Sequence, residues 1–255
     1  MKDGFIKTAH GQIHYLEAGS GRPIILLQSN GNSAYQYDSV MALLAKKYHV
    51  IAWDQPGQGD SDRITRHYSV EDYGDAAIAF IDALGLDKAN VLGSSIGGAI
   101  AIDLGDRYAK RIDRLWVMES PIKSEPEWAA QWLATEEAWS QVNQTWDQVS
   151  ARMHDLTKSV FQRWNIDRSK AGVWCMLDVM WALRLYDAHA AVKRISTKHT
   201  MGVFGNNSPH SKVAGPLLQR TVPGLKLEVM KNCGHFPMID DAEGLARIMD
   251  DFIND

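Results

Sequence analysis

The hydrophobic positions of this chain fall into short apolar runs, separated by stretches in which they recur every three or four residues. Residues 12–17 (QIHYLE) alternate apolar and polar, as a half-exposed strand does. Residues 24–28 (IILLQ), 49–53 (HVIAW), 90–93 (NVLG) and 114–118 (RLWVM) are short and nearly all apolar, which suits parallel strands covered on both faces. Between them, residues 36–47, 69–85 and 96–109 carry helical spacing. Strand–helix alternation of this kind predicts an α/β chain with a mostly parallel, doubly wound sheet. From about 122 to 195 the strand-like runs stop and only helical patterns remain. Strand character returns at 200–204 (TMGVF) and 226–230 (KLEVM), followed by an amphipathic helix over about 240–253. The expected organisation is a core domain of residues 1–121 and 196–255, interrupted by a helical cap at 122–195.

Composition changes this picture little. With 255 residues, 45% hydrophobic and 23% charged, the chain fits one globular domain carrying an insertion. A net charge of -4 gives no electrostatic footprint for nucleic acid. No apolar run is long enough to span a membrane. The N-terminus (MKDGFIKTAHGQ) lacks the apolar core of a secretory signal. Cys175 and Cys233 lack metal-ligand spacing, and two free thiols in a reducing cytoplasm is a simpler expectation than one disulfide.

The chemistry concentrates in three places. Gly93-Ser94-Ser95-Ile96-Gly97 directly follows an apolar run and precedes a helical segment, the context in which G-x-S-x-G forms a nucleophile elbow. A glycine-rich turn could merely connect strand to helix, but the strand–turn–helix setting favours a serine raised at a helix N-terminus, where free N–H groups stabilise negative charge. His235 lies in the loop Asn232-Cys233-Gly234-His235-Phe236-Pro237 after the last predicted strand. That is the place of the base in a Ser…acid…His order. Seven of the nine tryptophans fall within the insert: Trp128, Trp132, Trp139, Trp146, Trp164, Trp174 and Trp181. Their spacings of four and seven place each pair Trp128/Trp132, Trp139/Trp146 and Trp174/Trp181 on one helical face. Such stripes mostly pack; Trp128 and Trp181 are the candidates to contact a substrate.

With these motifs the chain resembles the α/β-hydrolase superfamily over nearly its whole length. Asp54-Gln55-Pro56-Gly57-Gln58-Gly59-Asp60-Ser61 is similar to that family's D-x-x-G-x-G-x-S turn. The resemblance implies an α/β-hydrolase fold with a helical cap inserted after the sixth strand. The family's H-G-x-x loop is here Gln28-Ser29-Asn30-Gly31, so the backbone N–H of Asn30, with that of Ile96, is the expected oxyanion hole. The usual acid position, in a G-x-x-D pattern, reads Gly205-Asn206-Asn207-Ser208, and no carboxylate lies between Asp187 and Glu228. Glu119, at the carboxyl end of the run at 114–118, is placed to serve instead. Branches of the superfamily take their acid from this strand. Of two such branches, the haloalkane dehalogenases and the zearalenone-type lactone hydrolases, the chain resembles the second more closely, through Glu119-Ser120-Pro121 and His235-Phe236-Pro237.

These readings lead to a serine hydrolase that cleaves a bulky apolar ester or lactone through an acyl-enzyme on Ser95, with His235 as base and Glu119 as its acid. No metal or organic cofactor is implied. The expected partner is a small-molecule ester, with neither nucleic acid nor a membrane span, and a homodimer is left open. One alternative is a cofactor-free dioxygenase of heteroaromatic rings on the same fold, in which a His–acid pair abstracts a substrate proton. Another is a ligand receptor built on a hydrolase scaffold.

Overall fold

The apolar runs pair as neighbouring strands of a single sheet. The computed structural model describes residues 1–255. Its strands are β1 (Lys2–Thr8), β2 (Gly11–Ala18), β3 (Pro23–Leu27), β4 (His49–Trp53), β5 (Ala89–Ser94), β6 (Ile112–Met118), β7 (Thr200–Gly205) and β8 (Lys226–Met230), in the spatial order β1-β2-β4-β3-β5-β6-β7-β8. β1 and β2 pair antiparallel, as do β2 and β4; every later pairing is parallel.

Helices cover both faces. They are α1 (Asp38–Leu44), α2 (Val70–Ala83), α3 (Ile96–Arg107), α4 (Glu125–Trp139), α5 (Trp146–Ser150), α6 (Lys158–Leu185), α7 (Ala188–Arg194), α8 (His210–Thr221), α9 (Pro237–Asp240) and α10 (Ala242–Asn254). Successive residues of a strand point to opposite faces, so each strand feeds two cores. Ile25, Leu27, Ile51, Trp53, Val91, Leu115 and Val117 pack under α2, α3, α7 and α8. Ile24, Leu26, Val50, Ala52, Leu92, Trp116 and Met118 pack under α1 and α10. That two-sided burial is why β3 to β6 read as continuous apolar runs.

The α/β-hydrolase fold is thus present, with only helices between the sixth strand and the seventh. Three details depart from the sequence reading. β1 is a half-exposed edge strand with few apolar residues, so it left no pattern to find. α8 carries Pro216 in its interior, which masks it as a helix. Within the helical segment, α7 lies against α3 in the layer beside the sheet, and Trp128 and Trp132 of α4 with Val179 and Leu183 of α6 join the same buried cluster. α6 is broken at Gly172, whose φ of 74° no continuous helix adopts.

Candidate active site

Loops that leave the carboxyl ends of the strands build the site. After β5 the chain turns sharply, with Ser95 at φ 58° and ψ -112° before α3 begins. The flanking glycines are required by space: a Cβ on Gly93 would lie 1.8 Å from Gly97 O, and one on Gly97 would lie 2.4 Å from Leu27 O. The Ser95 N–H donates to Met118 O at 2.9 Å, fixing the turn against β6.

The loop after β3 stacks on this turn, with the Ser29 hydroxyl donating to Ser94 Oγ at 3.1 Å. The Asn30 side chain is tied down at both ends. Its amide donates to Met176 O at 2.9 Å, and its Oδ1 accepts from Gln58 Nε2 at 2.7 Å. The backbone N–H groups of Asn30 and Ile96 have no acceptor within the chain, which leaves both donors available. The turn after β4 holds this loop in place. Buried Asp54 accepts from Ala34 N at 2.6 Å, Asp60 N at 2.8 Å and His14 Nδ1 at 2.7 Å.

Glu119 follows β6 directly, at φ 52° and fully buried. Its Oε1 accepts from Gly205 N at 2.6 Å, and its Oε2 accepts from the Ser208 hydroxyl at 2.5 Å. The same Oε2 lies 3.2 Å from His235 Nδ1. So Ser208, at the position where the family carries its acid, donates to the carboxylate that the preceding strand supplies. Burial raises the Glu119 carboxyl to about 7, against the opposing pull of Ser208 and Gly205. Burial also holds His235 well below its ordinary range, and the nearby Arg152 cation adds to this. A neutral imidazole with Nδ1–H toward Glu119 leaves Nε2 as the free acceptor.

Ser95 and His235 face one hollow of about 560 Å³ without a direct hydrogen bond between them. Catalytic contacts of this type are often longer in a ligand-free enzyme. Its lining is mixed rather than apolar, since only six of nineteen lining residues are hydrophobic. Trp128 borders it. Trp181 does not: it packs on Trp132 with ring centroids 4.2 Å apart and opens into a separate hollow beside His67 and Tyr68. On α6 it is Met180 and Leu183, three residues apart, that face Ser95, and Trp181 is turned away by the helical step of about 100°. Trp139 lines the hollow from the end of α4, whereas Trp146 begins α5, so these two do not share a helix face.

Sequence reasoning missed Arg152 and His210. The His210 ring stands 5.3 Å from that of His235, and burial pulls its pKa down to about 3. Asp240 stands at the start of the helix expected over about 240–253. It does not cap the last helix, which Asp241 does through Gly244 N at 2.8 Å. The Asp240 carboxylate instead accepts from Gly234 N at 2.7 Å and His154 N at 2.6 Å, tying the histidine loop to the segment after α5. Glu119, His210 and His235 bring ligand atoms within 4.8 Å of one another, as do His14, Asp54 and Asp60. In both groups the buried carboxylate is already occupied by N–H or O–H donors, which suits a hydrogen-bond network better than an open metal centre. Cys175 and Cys233 are free and buried, and burial pushes both thiols up to about 12, which makes them poor nucleophiles. No helix is long and apolar enough to cross a membrane.

Known proteins share this fold. A 2-hydroxymuconate semialdehyde hydrolase of Pseudomonas sp. (strain CF600) is 26% identical over 252 residues, covering 93% of this chain and 88% of that protein. An uncharacterized protein of Mycobacterium tuberculosis is 32% identical over 110 residues, 43% of this chain, and the match spans only 32% of that relative's length. The crystal structure of the enol-lactonase from Burkholderia xenovorans LB400 superposes with a TM-score of 0.79 at 20% identity, covering 99% of this chain and all of that one. The family model described as alpha/beta hydrolase fold matches residues 22–165, more than half of the sequence. The chain belongs to the α/β-hydrolase-fold family.

Proposed function

We propose that the protein is a serine hydrolase of carboxylic esters, lactones included, that works through an acyl-enzyme on Ser95. The observation that carries this reading is the Glu119–His235 contact of 3.2 Å behind a strained elbow serine, with serine and imidazole facing one hollow. In this mechanism His235 Nε2 takes the proton from Ser95 Oγ as the oxygen attacks the substrate carbonyl. The unengaged N–H groups of Asn30 and Ile96 receive the oxyanion. Glu119 orients the imidazole through Nδ1 and balances the imidazolium charge, while Ser208 and Gly205 hold the carboxylate in place. Protonated His235 then supplies the leaving oxygen with its proton. A water deprotonated by the same nitrogen releases the acyl group.

The helical segment 122–195 acts in this proposal as a cap that shapes the substrate hollow through α4, α5 and α6. A lactone substrate is supported by the Glu119-Ser120-Pro121 and His235-Phe236-Pro237 patterns, and by the likeness in fold to an enol-lactonase. The test is intact-mass analysis after treatment with a fluorophosphonate. The expected result is one adduct per chain, absent from the Ser95→Ala protein. An unlabelled wild type that consumes oxygen on a quinolone would replace the hydrolase with the dioxygenase.

A further inference from the structure

The hollow above Ser95 carries an unbalanced charge. No aspartate or glutamate lines it, while Arg152, Lys123 and three histidines do, in a chain whose net charge is -4. Lys123 already has a partner, donating to Gln131 Oε1 at 2.6 Å and lying 4.6 Å from the Trp128 ring. Arg152 has none: its guanidinium makes no ion pair, and its main chain alone enters the hydrogen bonding. Three aromatic rings surround it instead, with Cζ 5.8 Å from the Trp139 centroid, 5.3 Å from Trp164 and 5.2 Å from Phe236. The neighbouring charge that bears on it is another cation, Arg168, and burial with this neighbour brings Arg152 down to about 10, still cationic near neutral pH. Its position is fixed, because Arg152 O accepts from His235 N at 2.8 Å and a Cβ on Gly234 would come within 2.5 Å of that oxygen.

A half-buried guanidinium ringed by aromatic faces and without an anion is incompletely compensated unless a ligand supplies one. Aromatic faces offset part of the cost, but they leave the N–H fork unused. We infer that Arg152 is the receptor for a carboxylate on the substrate, so that the physiological substrate is an acidic ester or lactone rather than a wholly apolar one. The inference rests on the Ser95 hollow being the substrate site. A single planar fork matches a carboxylate in two parallel hydrogen bonds, whereas Lys123, held by Gln131, offers a point charge without that fork. The remaining lining, Trp128, Trp139, Met180 and Leu183, suits the carbon skeleton between the carboxylate and the scissile bond.

The arrangement also bears on rate. An unpartnered Arg152 beside His235 opposes the imidazolium that forms as Ser95 loses its proton. A bound carboxylate cancels that opposition, so an acidic substrate gains in kcat as well as in KM.

The test pairs binding with turnover. Binding is measured calorimetrically on the Ser95→Ala protein with 4-phenylbutyrate, with its neutral amide and with phenylphosphonate. The carboxylate is expected to bind about 10- to 100-fold more tightly than the amide, the range of a charge-assisted hydrogen bond. Arg152→Gln should abolish that ratio, and Arg152→Lys, which keeps the charge without the fork, should restore part of it. Equal binding of acid and amide would overturn the proposal, as would a ratio that survives Arg152→Gln in protein whose melting shows it folded. Preference for the phosphonate over the carboxylate would overturn the assignment of the anion. In the Ser95 protein, kcat/KM for the p-nitrophenyl hemiester of glutaric acid should exceed that for p-nitrophenyl butyrate. Failure of both esters with intact carboxylate binding would count against the hydrolase alone, whereas good turnover without acid preference would count against Arg152 alone.

Discussion

Glu119→Gln separates the cost of the buried carboxylate from its use. In the wild type the group passes from 4.5 to about 7, chiefly through burial. At about 1.4 kcal/mol per tenfold change in proton affinity, this amounts to roughly 3 kcal/mol. The folded chain holds the Glu119 proton more tightly than the unfolded chain does. Wild-type stability therefore falls as pH rises from about 4.5 to about 7 and stays at the lower level above that window. The amide removes the titration. Its oxygen keeps the Gly205 N–H bond, but its NH2 meets His235 Nδ1–H as donor against donor, a loss on the order of 1 kcal/mol. The variant should be about 2 kcal/mol more stable than wild type at pH 8 and no more stable at pH 4.5. In a chain of this size that corresponds to a Tm higher by roughly 4–8 °C at pH 8. Activity should move the other way, with kcat for an activated ester down by about 10⁴, the reference loss when the triad acid becomes an amide. The acid limb of the wild-type kcat/KM profile near pH 7 should disappear with it. Urea unfolding at both pH values and ester hydrolysis across pH 5–9 measure all three. A variant less stable than wild type by the same amount at pH 4.5 and pH 8 would refute the argument from the buried charge. Near-wild-type kcat would remove Glu119 from the mechanism.

Ser95→Ala should leave folding unchanged and abolish ester turnover, since Oγ is the attacking atom in the proposed mechanism; residual turnover near wild type in purified protein would remove it from the chemistry. Ser208→Ala deletes the hydroxyl donor that holds Glu119 down, so the acid limb of kcat/KM should move to higher pH while kcat at pH 9 changes little. Equal loss at every pH would mean that Ser208 acts on something other than that carboxylate. Trp128→Ala should change the preference between bulky and small esters, because the ring borders the hollow, whereas Trp181→Ala should affect only stability. The reverse pattern would place the substrate elsewhere.

The parts legible in the sequence were those where one strong local rule operates. Two-sided burial writes continuous apolar runs, so β3 to β7 were readable, and the elbow glycines announce a turn that only Gly93 and Gly97 can line. Glu119 could be located because the usual acid position holds Ser208, a vacancy visible without coordinates. Arg152 was not legible, since nothing in a sequence says whether an arginine has a carboxylate beside it. The placement of Trp181 was not legible for a related reason. Helical periodicity groups Trp174 with Trp181 on one face, but which face turns inward depends on how α6 docks, and both residues remain substantially exposed. His210 escaped notice because α8 is interrupted by proline and because its nearness to His235 arises from β7 and β8 being neighbours.

Backbone strain links the three catalytic candidates more closely than sequence distance suggests. Outside glycine, the residues with left-handed φ are Ser95 at 58°, Glu119 at 52° and Asn232 at 57°. Each follows the carboxyl end of a strand, namely β5, β6 and β8 in turn. A non-glycine residue in this region costs on the order of 1–3 kcal/mol, and glycine would relieve it at each position. At Ser95 and Glu119 glycine would also delete the side chain that the proposed chemistry requires, so on that reading the strain follows from needing both the turn and the functional group. Asn232 is the case where the side chain itself tolerates the conformation. There the turn serves a residue three places on, by swinging the chain so that His235 N reaches Arg152 O and Nδ1 reaches Glu119. The same sharp exit after β5, β6 and β8 thus brings Ser95 and His235 to one hollow, with Glu119 buried behind the imidazole.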